Sequence, residues 1–355
     1  MTGTGQRAHT FATPRGDAAG APPSEHVRLS ARLESGLICG YSFAAGTATE
    51  PVRAGDLLRA LEQSERVVWL HFNASDAGAR RWLEQSRTYP PRALRAVLDR
   101  ETRCRMEAEG EGILVVLNDL TFEDQADPEE VATLWAYATT QRLVTARAHP
   151  LKSSDRLRSA ARAGEIECSG FALLARLLEL QLDSLATLVN AAAEELNHIE
   201  DWVLGGRISE QQARLGRVRR LVAHVRRHFE PQRAAMARGL LRLPASVTQE
   251  DAERLRSAGD ELSALIDSAA GLHDRAKLLQ EELASRIAEE TNRNLYVLTI
   301  FSAIVMPMNL IAGVFGMNVA GLPGTENPAS FLWAMLLIVF SGAGTMLALR
   351  VKRLL

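Results

Sequence analysis

Two uncharged apolar runs, Leu295 to Phe315 and Ser330 to Leu349, stand near the C-terminus, separated by a loop that opens with Gly316, Met317 and Asn318. Each is about 20 residues long, and at ~1.5 Å rise per residue that spans the roughly 30 Å of a bilayer's hydrocarbon. The pattern therefore predicts two membrane helices. Upstream, from Cys168, the pattern is helical. One long helix is expected over Phe171 to Val203, stopped at Gly205 and Gly206, and a second from Ser209 to about Leu241, ended by Pro244. A third begins at the capping-box sequence Thr248-Gln249-Glu250-Asp251. Its apolar positions Leu255, Ala258, Leu262, Leu265, Ala269, Leu272, Ala276, Leu279 and Leu283 alternate steps of three and four, the seam of a coiled coil or bundle. No Pro or Gly pair interrupts this helix before the first membrane run. It is predicted to continue unbroken into the bilayer, about 70 residues and roughly 100 Å long.

The N-terminal part alternates instead. Strand-like runs occur at Gly36 to Phe43, Val67 to Phe72, Cys104 to Ala108, Ile113 to Asn118, Val131 to Tyr137 and Arg142 to Ala146. Helical stretches fall at Gly55 to Glu62, Ala77 to Ser86 and Pro91 to Leu98. Gly110-Glu111-Gly112 suits a hairpin, because glycine accepts positive φ. The expected organisation is a disordered lead-in over 1–34, an α/β cytosolic domain over 35–165, a long-helix bundle or stalk over 166–293, and a transmembrane domain over 294–355. That last domain divides into a first span at 295–315, an external loop at 316–329 and a second span at 330–349.

Whole-chain averages conceal this segregation. With 46% hydrophobic residues, 24% charged residues and a net charge of -2, the chain resembles a soluble protein and gives no sign of a nucleic-acid partner. The flanks set orientation. Arg293 precedes the first run and Arg350, Lys352 and Arg353 follow the second, whereas the loop from Asn318 to Ala329 has no Lys or Arg. Basic flanks stay in the cytoplasm, so both termini are expected inside a cell inner (plasma) membrane and the loop outside. The residues through Thr10 lack an apolar core, so no cleaved leader is expected. Three widely spaced cysteines, Cys39, Cys104 and Cys168, fit a reducing compartment better than a disulfide framework.

The first membrane run is the more polar. Asn292, Leu295, Thr299, Ser302, Met306, Asn309 and Gly313 share one stripe at helical spacing. Such a stripe either packs against other helices or faces water. Two helices do not enclose a pore, so a water-facing stripe implies a homo-oligomer. The second run, with only Ser341, Thr345 and two glycines among apolar residues, suits an outer, lipid-facing helix. Neither run contains Asp, Glu, Lys, Arg or His. A permeation path here would be lined by neutral oxygens, which suit a hydrated, hard divalent cation. The competing reading is a membrane-anchored sensor or scaffold whose two helices only tether.

The segment Leu298-Thr299-Ile300 through Ala312-Gly313-Val314-Phe315-Gly316-Met317-Asn318 resembles the first membrane helix and Gly-Met-Asn signature of the CorA superfamily of metal ion transporters. The following Gly321-Leu322-Pro323-Gly324, with Glu326 and Pro328, resembles the ZntB (zinc transport) branch, from which Ala320 departs where that pattern has Gly. Asp127-Pro128-Glu129, Arg217 to Arg220, Phe229 to Arg233 and Leu279 to Leu283 resemble the same branch. The resemblance implies a funnel-shaped homopentamer with the first membrane helix lining the pore. It further implies an outer mouth at Gly316, Met317 and Asn318, an acidic loop ring at Glu326, and pore-facing Asn292, Leu295, Thr299, Met306 and Asn309. Met306 and Leu295 would be apolar constrictions. The transported ion would be zinc, with magnesium, cobalt or nickel as the alternative, and no resident cofactor is expected.

Other groups are weaker. His224 and His228 lie four apart on a helix, a spacing at which two imidazoles can share zinc, but Arg226 and Arg227 beside them oppose a cation. The acids Glu194, Glu195, Glu200, Asp201, Asp251, Glu253, Asp260, Glu261 and Asp267 either line a funnel or are solvated helix faces. No phosphate loop, nucleotide fingerprint or nucleophile–base set is present, so no residues support an enzyme reading.

Overall fold

The computed structural model describes residues 36–44, 49–62, 65–86, 89–121, 130–165, 167–205, 211–317 and 329–352. The expected lead-in over 1–34 lies outside them. The chain divides into two compact units, Met1–Leu196 with Arg217–Asp274, and Asn197–Gly216 with Arg275–Leu355.

The first unit is built on a seven-stranded sheet: β1 (Leu37–Phe43), β2 (Glu50–Pro51), β3 (Val67–Asn73), β4 (Arg105–Glu109), β5 (Gly112–Leu120), β6 (Val131–Ala138) and β7 (Arg142–Arg147). Their order is β2-β1-β3-β7-β6-β5-β4. Only β3 and β7 pair in parallel. Gly110 takes φ +61° in the β4–β5 turn, the positive φ that the expected hairpin requires.

Period-two alternation gives the sheet two buried faces. Val68, Leu70 and Phe72 point to one side, where they pack with Leu114, Val116, Trp135 and Val144 beneath α1 (Leu57–Glu62), α2 (Ala77–Ser86) and α3 (Pro91–Leu98). Burial of each such large side chain stabilises by roughly 1.5–3 kcal/mol. Trp69 and His71 point to the other side and share Thr145, whose hydroxyl lies 3.0 Å from Trp69 Nε1 and 2.7 Å from His71 Nδ1. Two helices are tied to this second face by a buried amide network. Asn118 N–H donates to Gln232 Oε1 at 3.1 Å, Gln232 Nε2 donates to Gln181 Oε1 at 2.8 Å, and Gln181 Nε2 donates back to Asn118 O. Gln181 belongs to α5 (Gly170–Leu204) and Gln232 to α6 (Gln211–Leu240).

The helix α4 (Lys152–Ala163) escapes the periodicity reading, as does the two-residue strand β2. Two of the residues α4 buries are Ser153 and Ser154, polar residues that add nothing to an apolar stripe. Asp119, fully buried at the end of β5, holds the start of α4. Its Oδ2 accepts from Ser153 N–H at 3.0 Å and from Ser153 Oγ at 2.6 Å, and its Oδ1 accepts from Leu120 N–H at 2.9 Å. The cap that α4 lacks locally is thus supplied from a strand. Burial raises the Asp119 carboxyl to about 6, against the opposing pull of those donors.

The long helix α7 covers Gln249–Phe315 without interruption. It starts at the expected cap, where Thr248 Oγ1 accepts from Asp251 N–H at 3.1 Å. Its buried stripe runs through Leu255, Ala258, Leu262, Ile266, Ala269 and Leu272. Ile266 takes the place expected for Leu265, which is only half-buried. In the second unit the stripe continues at Ala276, Leu279 and Leu283. There Arg275 bridges to Asn197 at 3.0 Å and Glu200 at 2.7 Å, and Arg286 donates to Val203 O at 3.0 Å. The final helix, α8, covers Ser330–Val351. The architecture is the expected one: a mixed α/β sheet, long helices, and two C-terminal helices apolar and long enough to cross a membrane.

Candidate functional site

The apolar end of α7 and α8 meet along one face, and most residues of both remain exposed. Met308 lies over Gly342, where an added Cβ would come within 3.0 Å of the Met308 Sδ. Along α8, Ala334, Ile338, Ser341 and Thr345 are half-buried at the same helical spacing, and Gly342 is buried. The second helix therefore turns its small and hydroxyl residues toward its neighbour, as close-packed membrane helices do. Thr345 Oγ1 donates to Ser341 O at 2.9 Å and is satisfied within its own helix.

The stripe expected on α7 faces elsewhere. Asn292, Leu295, Thr299, Ser302, Met306, Asn309 and Gly313 are all exposed. At 3.6 residues per turn they occupy an arc roughly 100° wide, and Met308 falls about 150° from its centre. The stripe is thus not the seam between the two helices. Thr299 Oγ1 donates to Leu295 O at 2.7 Å, which commits the hydroxyl proton to the backbone and leaves its lone pairs outward as acceptors. Pro307 sits inside the helix beside Met306, so one backbone hydrogen bond is missing in the middle of the span.

The same alternation of three and four continues toward the N-terminal end of α7. Ala288, Ser285 and Glu281 follow Asn292 on the exposed face, and Glu281 is the first ionisable group that the stripe meets. In sequence Glu281 stands out only as part of the Leu279 to Leu283 resemblance, not as a member of the stripe. The signal that would have found it is the step pattern itself, carried past the charged flank.

At the other end, α7 winds into the Gly-Met-Asn signature. Gly316 N–H donates to Ala312 O at 2.9 Å and Met317 N–H to Val314 O at 3.4 Å, and both residues are exposed. Asn318 and Glu326 lie outside the described residues.

His224 and His228 are brought together, with ring centroids 4.3 Å apart. Burial, His224 and Arg227 lower the His228 pKa, in that order. No third ligand joins them: among the described residues no group of three or more His, Cys, Asp or Glu is placed to hold a metal. Several acids considered for a funnel are committed to ion pairs, Glu200 with Arg275 at 2.7 Å and Asp267 with Arg233 at 2.8 Å. Asp251 accepts from Ser169 Oγ at 2.9 Å. Burial pushes the Cys39 thiol up to about 12 and raises that of Cys104, so neither is a ready thiolate.

A mixed sheet followed by long helices, the longest of which ends as one of two helices apolar and long enough to cross a membrane, is the architecture of a membrane protein of the CorA kind. The chain belongs to the family described as CorA-like Mg2+ transporter protein, which it matches over residues 64–353. That is a family of transporters, not of enzymes. It is 29% identical to the divalent cation transporter CmaX of Pseudomonas aeruginosa over 308 residues, 86% of this chain and 92% of that one. To the zinc transport protein ZntB of Pectobacterium atrosepticum it is 22% identical over 310 residues, 87% of this chain and 93% of that one. Among solved structures, that of full-length CmaX superposes with a TM-score of 0.77 at 28% identity, covering 90% of this chain and 98% of that one. The CorA magnesium transporter from Methanocaldococcus jannaschii gives a TM-score of 0.70 at 19% identity, over 88% and 98%, and shares the fold.

Proposed function

We propose that this protein conducts a divalent metal cation across the inner membrane through a homopentameric pore lined by the apolar end of α7. The observation that carries the reading is the exposed stripe from Asn292 to Gly313 on the face turned away from α8. One such helix per subunit encloses water only when several copies surround an axis. The path then consists of hydroxyl, amide and main-chain oxygens that can replace outer waters of a hydrated ion without holding it tightly. Met306 and Leu295 are the apolar constrictions. Asn318, with Gly316 and Met317, forms the outer mouth, and the loop carboxylate Glu326 concentrates cations there. Glu281 is the first carboxylate that an ion meets after leaving the span.

Zinc is the ion favoured by the Gly321 to Pro328 loop pattern, with magnesium, cobalt or nickel as the alternative. Both termini are cytosolic, residues 35–165 and 166–293 form the cytosolic domain and stalk, and 294–355 forms the membrane part. The tether reading loses ground because the α7 stripe is not spent on holding α8. The test is metal uptake into sealed liposomes together with particle mass in mild detergent. A pentamer that takes up zinc, and an Asn318→Ala variant that assembles but does not, are the expected results. A transporting monomer or dimer, or full uptake by Asn318→Ala, would refute the pore.

A further inference from the structure

One cleft of the first unit remains without a role. The sheet order ends at β4, so among the described strands Arg105–Glu109 has a partner on one side only. The last turn of α6 comes unusually close to it: a Cβ added at Gly239 would meet Met106 Cγ and Met106 O at 2.6 Å. Only glycine permits that approach, and beside it opens a cleft of about 470 Å³. Its walls include Arg105, Glu107, Arg238, Leu241 and Arg242. The volume falls in the range of small-molecule sites.

The charges in this cleft are not mutually satisfied. Arg105 pairs with Glu101 at 2.8 Å, yet its Nε is buried without a partner. Arg238 and Arg242 are exposed and form no ion pair among the described residues. A helix C-terminus accounts for one cation in its last turn, and Arg238 fills that place. It does not account for Arg242, which lies beyond the helix. Glu107 is the only carboxylate among the lining residues. Leu241, 85% exposed, supplies apolar surface.

We infer that this cleft binds a small organic phosphate monoester. Guanidinium forks match phosphate oxygens in geometry and charge, so a cleft lined by Arg238 and Arg242, with Arg105 also in its wall, favours an oxyanion over a carboxamide or alcohol. A bare phosphate fills only a fraction of the volume. The remainder, with Leu241 on one wall and the Glu107 acceptor on another, suits a flat organic body that carries an amino or hydroxyl donor. A nucleoside monophosphate has these parts. The site is distinct from the ion path and does not depend on the transport reading.

Adenosine monophosphate, inorganic phosphate and adenosine, titrated calorimetrically into the full-length protein in detergent with a chelator present, test it. Adenosine monophosphate is expected to bind at least tenfold more tightly than either fragment. The double variant Arg238→Gln, Arg242→Gln should weaken it at least tenfold without changing the thermal unfolding profile, since both side chains are exposed. Raised salt should weaken binding in the parent protein. No heat at millimolar adenosine monophosphate, equal affinity for phosphate, or undiminished binding by a folded double variant would overturn the assignment.

Discussion

Met306 and Phe340 are equally bare in the single chain, 75% and 73% exposed, and both lie near the middle of their spans. The pore reading nevertheless assigns them opposite surroundings: water for Met306, lipid for Phe340. Replacing each in turn by Lys separates these. A Lys held at the centre of a lipid-facing helix costs about 2.5–3.5 kcal/mol on insertion scales. At ~1.36 kcal/mol per decade that is a roughly 70- to 400-fold loss of correctly inserted chain for each subunit. Phe340→Lys should therefore lower the recovery of assembled protein sharply. Met306→Lys should assemble at near parental yield, because its ammonium stays hydrated inside the ring, but several like charges around the axis should abolish cation uptake. Recovery is read as oligomer per membrane-extracted protein and uptake as metal entering liposomes. Equal loss of assembly in both variants would place Met306 in lipid and refute the stripe as a pore lining. Parental uptake by Met306→Lys would refute it independently.

Three further outcomes follow from the same geometry and its neighbours. Thr299→Cys, Ser302→Cys and Asn309→Cys, made singly in a background without Cys39, Cys104 and Cys168, should react with small water-soluble thiol reagents, while Leu336→Cys, Val339→Cys and Leu347→Cys should not; protection of both sets under every metal condition favours the tether. Gly342→Leu should push α8 from α7 and cost about 1–3 kcal/mol of membrane-domain stability, because a Cβ there already meets the Met308 Sδ at 3.0 Å, and an unchanged thermal midpoint would contradict the packing. The folded carboxyl of Asp119 titrates near 6, above its unfolded value near 3.8. Its contribution is thus complete below the unfolded value and lost as pH rises through about 6, a swing of up to about 3 kcal/mol. Asp119→Asn loses one acceptor, about 1–2 kcal/mol, so it should be less stable than the parent at pH 5, with the gap closing or reversing by pH 8. Amide exchange along Lys152–Ala163 measures it, and a pH-independent difference would be the contrary result.

The parts of this protein legible in sequence are those whose cause is local. A capping box, an alternation of three and four from Leu255 to Leu283, and the absence of Pro or a Gly pair before the first membrane run foretold the course of the 67-residue helix Gln249–Phe315, which Pro307 inside that run does not break. The helices Ala77–Ser86 and Pro91–Leu98 agree with their periodicity to the residue. Two charge-free runs flanked by Arg293 and Arg350 gave the membrane pair, because solvation by lipid demands composition before contacts. The helix Lys152–Ala163 was hidden, since Ser153 and Ser154 are buried only because Asp119 and Arg147 reach them from elsewhere in the chain. The two histidines announced a spacing but not its outcome. Tertiary packing supplied no third ligand among the described residues.

For the two apolar helices, sequence alone determined that one carries a polar stripe and that the other carries scattered Ser, Thr and Gly. It left open which of these polar faces holds the helices together. The tertiary structure decided that: Gly342 must lie against Met308, so Ser341 and Thr345 are turned inward to the seam while Thr299, Ser302 and Asn309 are left outward. Periodicity fixes the angle between residues on one helix, but only contact with a second helix fixes where that angle points.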